Sequence, residues 1–239
     1  MCGRFSLRAR LAELLEDFPI DEQNVPSFSP RYNIAPSQPV FAVREKPGAA
    51  SPVREAVWLR WGLIPGWAAD PTIGNRLINA RSETVAEKPA YRAALRRRRC
   101  LLAADGFYEW KAEGRVKQPY FIHFPDERPF AFAGLWESWE GPDHARIESC
   151  TILTTEANEL MRPIHHRMPV ILQPRDYAKW IDPAEQESGA LLPLLIPYAG
   201  AEMEAYPVNR LVNSPSHDAP DCLSRLCDPS VVSHTDGAL

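Results

Sequence analysis

Apolar residues at Leu7, Leu11, Leu14, Leu15 and Phe18 recur at helical steps, which predicts a helix over 7–18 with Ser6 as its N-cap. Residues 89–95 read as a second helix, and the basic run 96–99 reads as a solvated end at its negative C-terminus. Val53, Val57, Leu59 and Trp61 alternate in part, which predicts a strand over 53–63. Further strands are expected over 100–110, 120–124, 130–136, 149–155 and 168–172, and a last one over 202–208. Short helices are expected over 156–161 and 175–181, and loops over 26–30 and 45–52. Helices are interspersed with strands without βαβ alternation. The expected class is therefore α+β: a single mixed domain with a central curved or barrel-like antiparallel sheet and flanking helices. The domain is expected to span 1–227, followed by a polar tail over 228–239.

Composition narrows this further. The chain has 239 residues, 45% of them hydrophobic and 24% charged, which excludes a disordered or fibrous protein. Its 24 Pro are about twice the usual share and favour short elements joined by stiff loops. No run of about 18 apolar residues exists, so no membrane-spanning helix is expected. The N-terminus lacks the apolar core of a signal peptide, so a cytoplasmic location is expected. Five Cys without a paired framework suit free thiols. A net charge of −4 argues mildly against a nucleic-acid binder, but a local basic cleft can hide inside an average. Arg far outnumbers Lys among the 27 basic residues, and Arg is the better fork for phosphate.

Four clusters carry candidate chemistry. The chain opens Met1-Cys2-Gly3, and a small second residue lets an aminopeptidase remove Met1. Cys2 would then carry an α-amine beside its thiol, and such an aminothiol closes on an aldehyde to a five-membered thiazolidine. The second cluster, Asn79, Arg81, Ser82 and Glu83, reads as the start of a helix whose backbone N–H groups and Arg fork would suit an anion. In the third, Glu109 stands within an apolar, aromatic strand beside Trp110. Facing inward it would suit proton transfer; facing outward it would be ordinary alternation. The fourth joins His165, His166 and Arg167 between prolines; adjacent side chains point apart, so at most one His is expected to act in acid–base chemistry. Cys222, Cys227, His217 and His234 are poorly spaced for zinc, and no metal is expected.

Taken in order, MCGRF, RYNIAP, WGLIPGW, LINARSET, CLLAADGFYEWK and IHHRMP strongly resemble the SRAP family, the SOS response-associated peptidase domain proteins. The likeness runs from Met1 to about Leu223. It implies a protein that shields abasic sites in single-stranded DNA through a covalent thiazolidine crosslink, with no metal or organic cofactor. Under this resemblance Cys2 matches the crosslinking residue and Asn79 helps hold it and the sugar. Glu109 matches the proton shuttle, and His165 matches the residue associated with sugar ring opening. Arg4, Arg81 and Arg167 match phosphate contacts, while Pro36, Trp67, Trp110 and Thr154 match positions lining the DNA path. A monomer is expected. Three alternatives remain: an N-terminal-Cys amidohydrolase, a thiol autopeptidase, and a non-covalent single-strand binder.

Overall fold

The computed structural model describes residues 2–20, 25–49, 51–142 and 144–226; the predicted tail 228–239 and the domain boundary at 227 lie outside them. Among the described residues, twelve strands form two sheets. The first is antiparallel, with strands β1 (Arg4–Leu7), β2 (Arg31–Ile34), β7 (Gly106–Glu113), β8 (Val116–His123) and β12 (Glu204–Pro207) in the order β12-β8-β7-β1-β2. The second contains β3 (Pro39–Glu45), β4 (Arg54–Trp61), β6 (Arg99–Ala104), β9 (Phe130–Glu140) and β10 (Arg146–Glu156). These pair successively as β4-β3-β6-β9-β10, and β10 returns to β4, so the sheet curls into a closed ring. The short strands β5 (Asn79–Arg81) and β11 (Arg167–Pro169) both add to β10. The barrel-like sheet expected from sequence is thus present. It is mixed rather than purely antiparallel, because β10 runs parallel to both β4 and β5.

Closure explains the burial pattern. Every residue of β6 is buried, as is the central Val40–Val43 stretch of β3, because both faces are covered and no polar alternation is required. Phe5, Trp61, Phe107 and Phe132 meet edge to face in the core, with Phe5 5.2 Å from Trp61 and 5.6 Å from Phe132. β2 and β3 were not predicted as elements, since the first is only four residues long and the second lacks period-two alternation. At Gly106 a Cβ would come within 2.0 Å of the Phe121 ring, so close approach of β7 to β8 requires glycine there.

Several predicted boundaries move. The helix expected over 7–18 is α1 (Leu11–Asp17), while Leu7 belongs to β1 and Ser6 caps nothing. Ser6 Oγ instead donates to Asp105 Oδ1 at 2.6 Å. Asp105 is 1% exposed and also accepts from the backbone N–H groups of Arg8 and Ala9. This carboxylate ends β1 and divides the strand predicted over 100–110 into β6 and β7, which lie in different sheets. No helix covers 156–161: β10 continues to Glu156 and the chain then turns. The helices α2 (Arg92–Arg97), α3 (Tyr177–Ile181) and α4 (Ser188–Leu191) flank the ring.

The basic run 96–99 is not wholly a solvated helix end. Arg96 and Arg97 are exposed, but Arg99 is 2% exposed. Its guanidinium donates to the carbonyls of Leu95 and Arg96 at 2.6 and 2.7 Å, and to those of Trp180, Asp182 and Glu185. Burial lowers its pKa to about 10, so it stays charged at neutral pH and ties α2 to α3. Cys2, Cys100, Cys150 and Cys222 are free thiols, as expected for these positions. No described helix is long and apolar enough to cross a membrane.

Candidate active site and nucleic-acid interface

The two sheets meet where the N-terminus enters. β1 pairs with β7 in the register Arg4↔Tyr108, and extending that register brings Cys2 alongside the Glu109–Trp110 stretch. Cys2 is fully buried. Asn79, on β5, donates from Nδ2 to the Cys2 carbonyl at 2.7 Å. Its Oδ1 is buried and accepts no hydrogen bond from the described residues. Tyr91 Oη donates to the Asn79 carbonyl at 3.3 Å and steadies that end of β5.

Glu109 is 2% exposed, so the inward alternative holds. Its Oε1 lies 4.0 Å from His165 Nδ1. Burial, and then the Glu109 carboxylate, push the Cys2 thiol pKa well up. The sulfur is therefore protonated in the closed site, and a neighbour must take its proton before it can attack.

His165 can take part in such transfers because burial lowers its pKa below the ordinary imidazole value, an effect the Glu109 charge opposes. Its Nδ1 sits against the Arg167 backbone, 3.0 Å from the N–H and 3.2 Å from the carbonyl, so that one residue holds the imidazole in place whether Nδ1 accepts or donates. His165 and His166 do not diverge as expected: the chain bends there, and their rings stack with centroids 4.3 Å apart. His166 is the exposed member.

The predicted interface residues fall into two groups. Trp67 is 64% exposed and Arg81 is exposed; with Leu77, Asn79, Lys88 and Tyr91 they line a cavity of about 570 Å³. Pro36 is half-buried. Trp110, Glu109, His165, Lys117 and Asn213 line a second cavity of about 480 Å³. The other group is engaged within the protein. Arg4 donates to Asn33 Oδ1 at 2.8 Å and to the carbonyls of Val212 and Asn213 at 2.5 and 3.2 Å. Arg167 holds both carboxylate oxygens of Glu83, and Thr154 is fully buried beneath it. Trp110 Nε1 donates to Asn213 Oδ1 at 2.8 Å, which anchors one wall of the second cavity.

The LINARSET segment does not open a helix. Asn79–Arg81 pairs with β10, and the Ser82 N–H donates to the Thr154 carbonyl at 2.9 Å. The helix-terminus anion site expected there is absent, since the sheet has taken a backbone donor. Sequence reading passed over Tyr91, and also Asn33 and Asn213, whose partners lie far away in the chain. His217 and Asp221 are linked at 2.7 Å beside Cys222, whose Sγ donates to the His217 carbonyl at 3.5 Å.

Cys2 thus lies buried where a small mixed barrel meets a second sheet, its carbonyl held by Asn79 and its thiol in the field of Glu109, which in turn faces His165. The family profile for SOS response associated peptidase (SRAP) matches residues 1–215, and the chain belongs to that family. It is 44% identical over 226 residues to the abasic site processing protein YoqW of Bacillus subtilis, covering 93% of this chain and 99% of that one. It is 36% identical over 224 residues to the abasic site processing protein HMCES of Gallus gallus, covering 82% of this chain and 66% of that one. Among solved structures, a Bacteroides thetaiotaomicron protein superposes with a TM-score of 0.83 at 27% identity, covering 95% of this chain and all of that one. A Bordetella bronchiseptica protein superposes at 0.74 with 25% identity, covering 87% of this chain and all of that one.

Proposed function

We propose that this protein recognises abasic sites in single-stranded DNA and captures them covalently through Cys2 after Met1 is removed. The observation that carries the reading is the burial of Cys2 with its carbonyl held by Asn79 and its thiol in the field of Glu109, which faces His165, at the one position where amine and thiol can belong to the same residue. The relatives named abasic site processing proteins support the substrate class.

The chemistry follows from the groups present. An abasic deoxyribose interconverts between a closed hemiacetal and an open aldehyde. Ring opening breaks the bond from the anomeric carbon to the ring oxygen, removes the proton of the anomeric hydroxyl and gives one to the ring oxygen, and His165, which can release and regain a proton near neutral pH, carries it between the two oxygens. The Cys2 amine condenses with the aldehyde, losing water, to give an imine. The thiol then adds to the imine carbon as its proton passes through Glu109 to the nitrogen, closing the thiazolidine. The Asn79 Oδ1 acceptor is suited to a sugar hydroxyl. Trp67 and Trp110 offer stacking surfaces to unpaired bases, and Arg81 offers a cation to a phosphate. The reading uses a cytoplasmic monomer without a cofactor. Its only peptide-bond cleavage is the loss of Met1.

The test is a denaturing gel of the mature protein with a single-stranded oligonucleotide carrying one abasic site. A band stable to heat and detergent without borohydride is expected. A band seen only after reduction would mean an imine and lyase-like chemistry, and no band would refute covalent capture.

Arg81 supplies a second check. Arg81→Ala should weaken binding to single-stranded DNA and reduce the slope of log K against log salt by about 0.7, the share of one phosphate contact. A salt titration by fluorescence anisotropy reads this directly. An unchanged slope would remove Arg81 from the phosphate contacts.

A further inference from the structure

Glu83 lies in the turn that follows β5. Its two carboxylate oxygens receive the terminal nitrogens of Arg167 at 2.5 and 3.0 Å. Such a two-pronged pair fixes orientation as well as distance. The Arg167 side chain is only 12% exposed, and its guanidinium also donates to the Thr154 carbonyl at 2.6 Å. The Ser82 N–H meets that same carbonyl at 2.9 Å. The exit of β5, the end of β10 and the start of β11 are therefore tied at one point. Asn79 leads into this knot from one side and His165 from the other, since the Arg167 N–H holds His165 Nδ1. The bonds from Arg167 hold the Glu83 carboxyl below the usual carboxylate range, so the pair is ionised at neutral pH.

We propose that Glu83 is a positioning residue for the capture reaction: by gripping Arg167 it locks the start of β11 onto the exit of β5, which keeps the Arg167 backbone against His165 Nδ1 and so holds the imidazole in its place beside Glu109. Glu83 acts through Arg167, not on the sugar. The inference rests on the covalent-capture reading above.

The test uses the full mature chain with Glu83→Gln and Glu83→Asp. Gln is nearly isosteric but loses the charge and one of the two acceptor oxygens; Asp keeps both on a shorter stem. Three quantities are measured: the crosslinking rate at saturating abasic oligonucleotide, the same rate from about pH 5 to 9, and the Kd for an oligonucleotide carrying a non-reactive tetrahydrofuran abasic analogue. Loss of a fixed catalytic geometry costs up to about 100-fold, so Glu83→Gln should slow crosslinking by at least about tenfold. Its Kd for the analogue should stay within about twofold of wild type. The acid limb of its pH profile should move up toward the ordinary imidazole value, because a loosened His165 is better solvated. Glu83→Asp should recover part of both the rate and the profile.

A rate and acid limb like those of wild type in Glu83→Gln would overturn the proposal. So would tighter binding of the analogue at an unchanged rate, which would make Glu83 a rival of phosphate for Arg167. A Kd that worsens in step with the rate would overturn it too, by assigning Glu83 to binding. If Glu83→Gln does not fold, Glu83→Asp at a native melting temperature carries the same test: a slower rate with a raised acid limb supports positioning, and wild-type values refute it. Wild-type protein that forms no heat-stable band would instead sink the capture reading, so the two failures are distinguishable.

Discussion

Cys2→Ala is expected to leave no heat-stable crosslink to abasic single-stranded DNA, at any pH and after long incubation. The reaction needs two nucleophiles on adjacent atoms of one residue, and Ala keeps only the amine. Cys2→Ser separates the two steps. Its amine can still form an imine, but the hydroxyl closes the ring far less readily than a thiol, so a band should appear only after borohydride. Cys2 is fully buried, and its thiol is held protonated by burial and by the Glu109 charge. Other buried thiols, such as Cys100 and Cys150, have no such site around them and cannot substitute. A heat-stable band of normal yield from Cys2→Ala would end the mechanism. Binding of an abasic analogue should survive in both variants, because Trp67 and Arg81 lie apart from the sulfur.

The second large effect concerns stability. Arg99→Leu should lower the unfolding free energy by about 3–4 kcal/mol. Hydrogen bonds to a charged donor contribute roughly 1.5–3 kcal/mol each, and some of the five abandoned carbonyls can turn to water. For a chain of this size that corresponds to a fall of about 10 °C in Tm. Arg99→Lys should fall in between, since it keeps the charge but loses the planar fork that reaches both α2 and α3. Calorimetry on the two variants reads this. A shift under about 2 °C for Arg99→Leu would mean the carbonyls find other partners and that α2 and α3 are held by packing alone.

Much of the site was legible along the chain because its chemistry is local. Cys2 stands out as the residue that directly follows Met1, and no other position can offer amine and thiol together. Glu109 stands out as a charge inside an apolar strand, but the sequence left its direction open. The tertiary structure settled it: consecutive residues Gly106–Glu109 of β7 are all buried, so neither face of the strand meets solvent there. The LINARSET and IHHRMP segments were recognisable as motifs, yet their local structure was misread. Asn79–Arg81 became a strand because β10 offered a parallel ladder, a contact about seventy residues away. His165 and His166 stack because the chain bends just before β11, and alternation holds only in extended backbone.

The same division runs through the whole protein. Residue types and short spacings carried the α+β class, the candidate nucleophile, the titratable groups and the aromatic and Arg-rich segments, since each depends on what a side chain is or on its near neighbours. Ring closure by β10 and the burial of Arg99 depended on partners remote in sequence. So did the division of one apparent strand at Asp105, the engagement of Arg4 with Asn33, and the Glu83–Arg167 knot. A charged side chain does not reveal in sequence whether it will face solvent, a phosphate or a carboxylate. The fold decides that by bringing distant acceptors within hydrogen-bond reach and by withdrawing the water that would otherwise satisfy them.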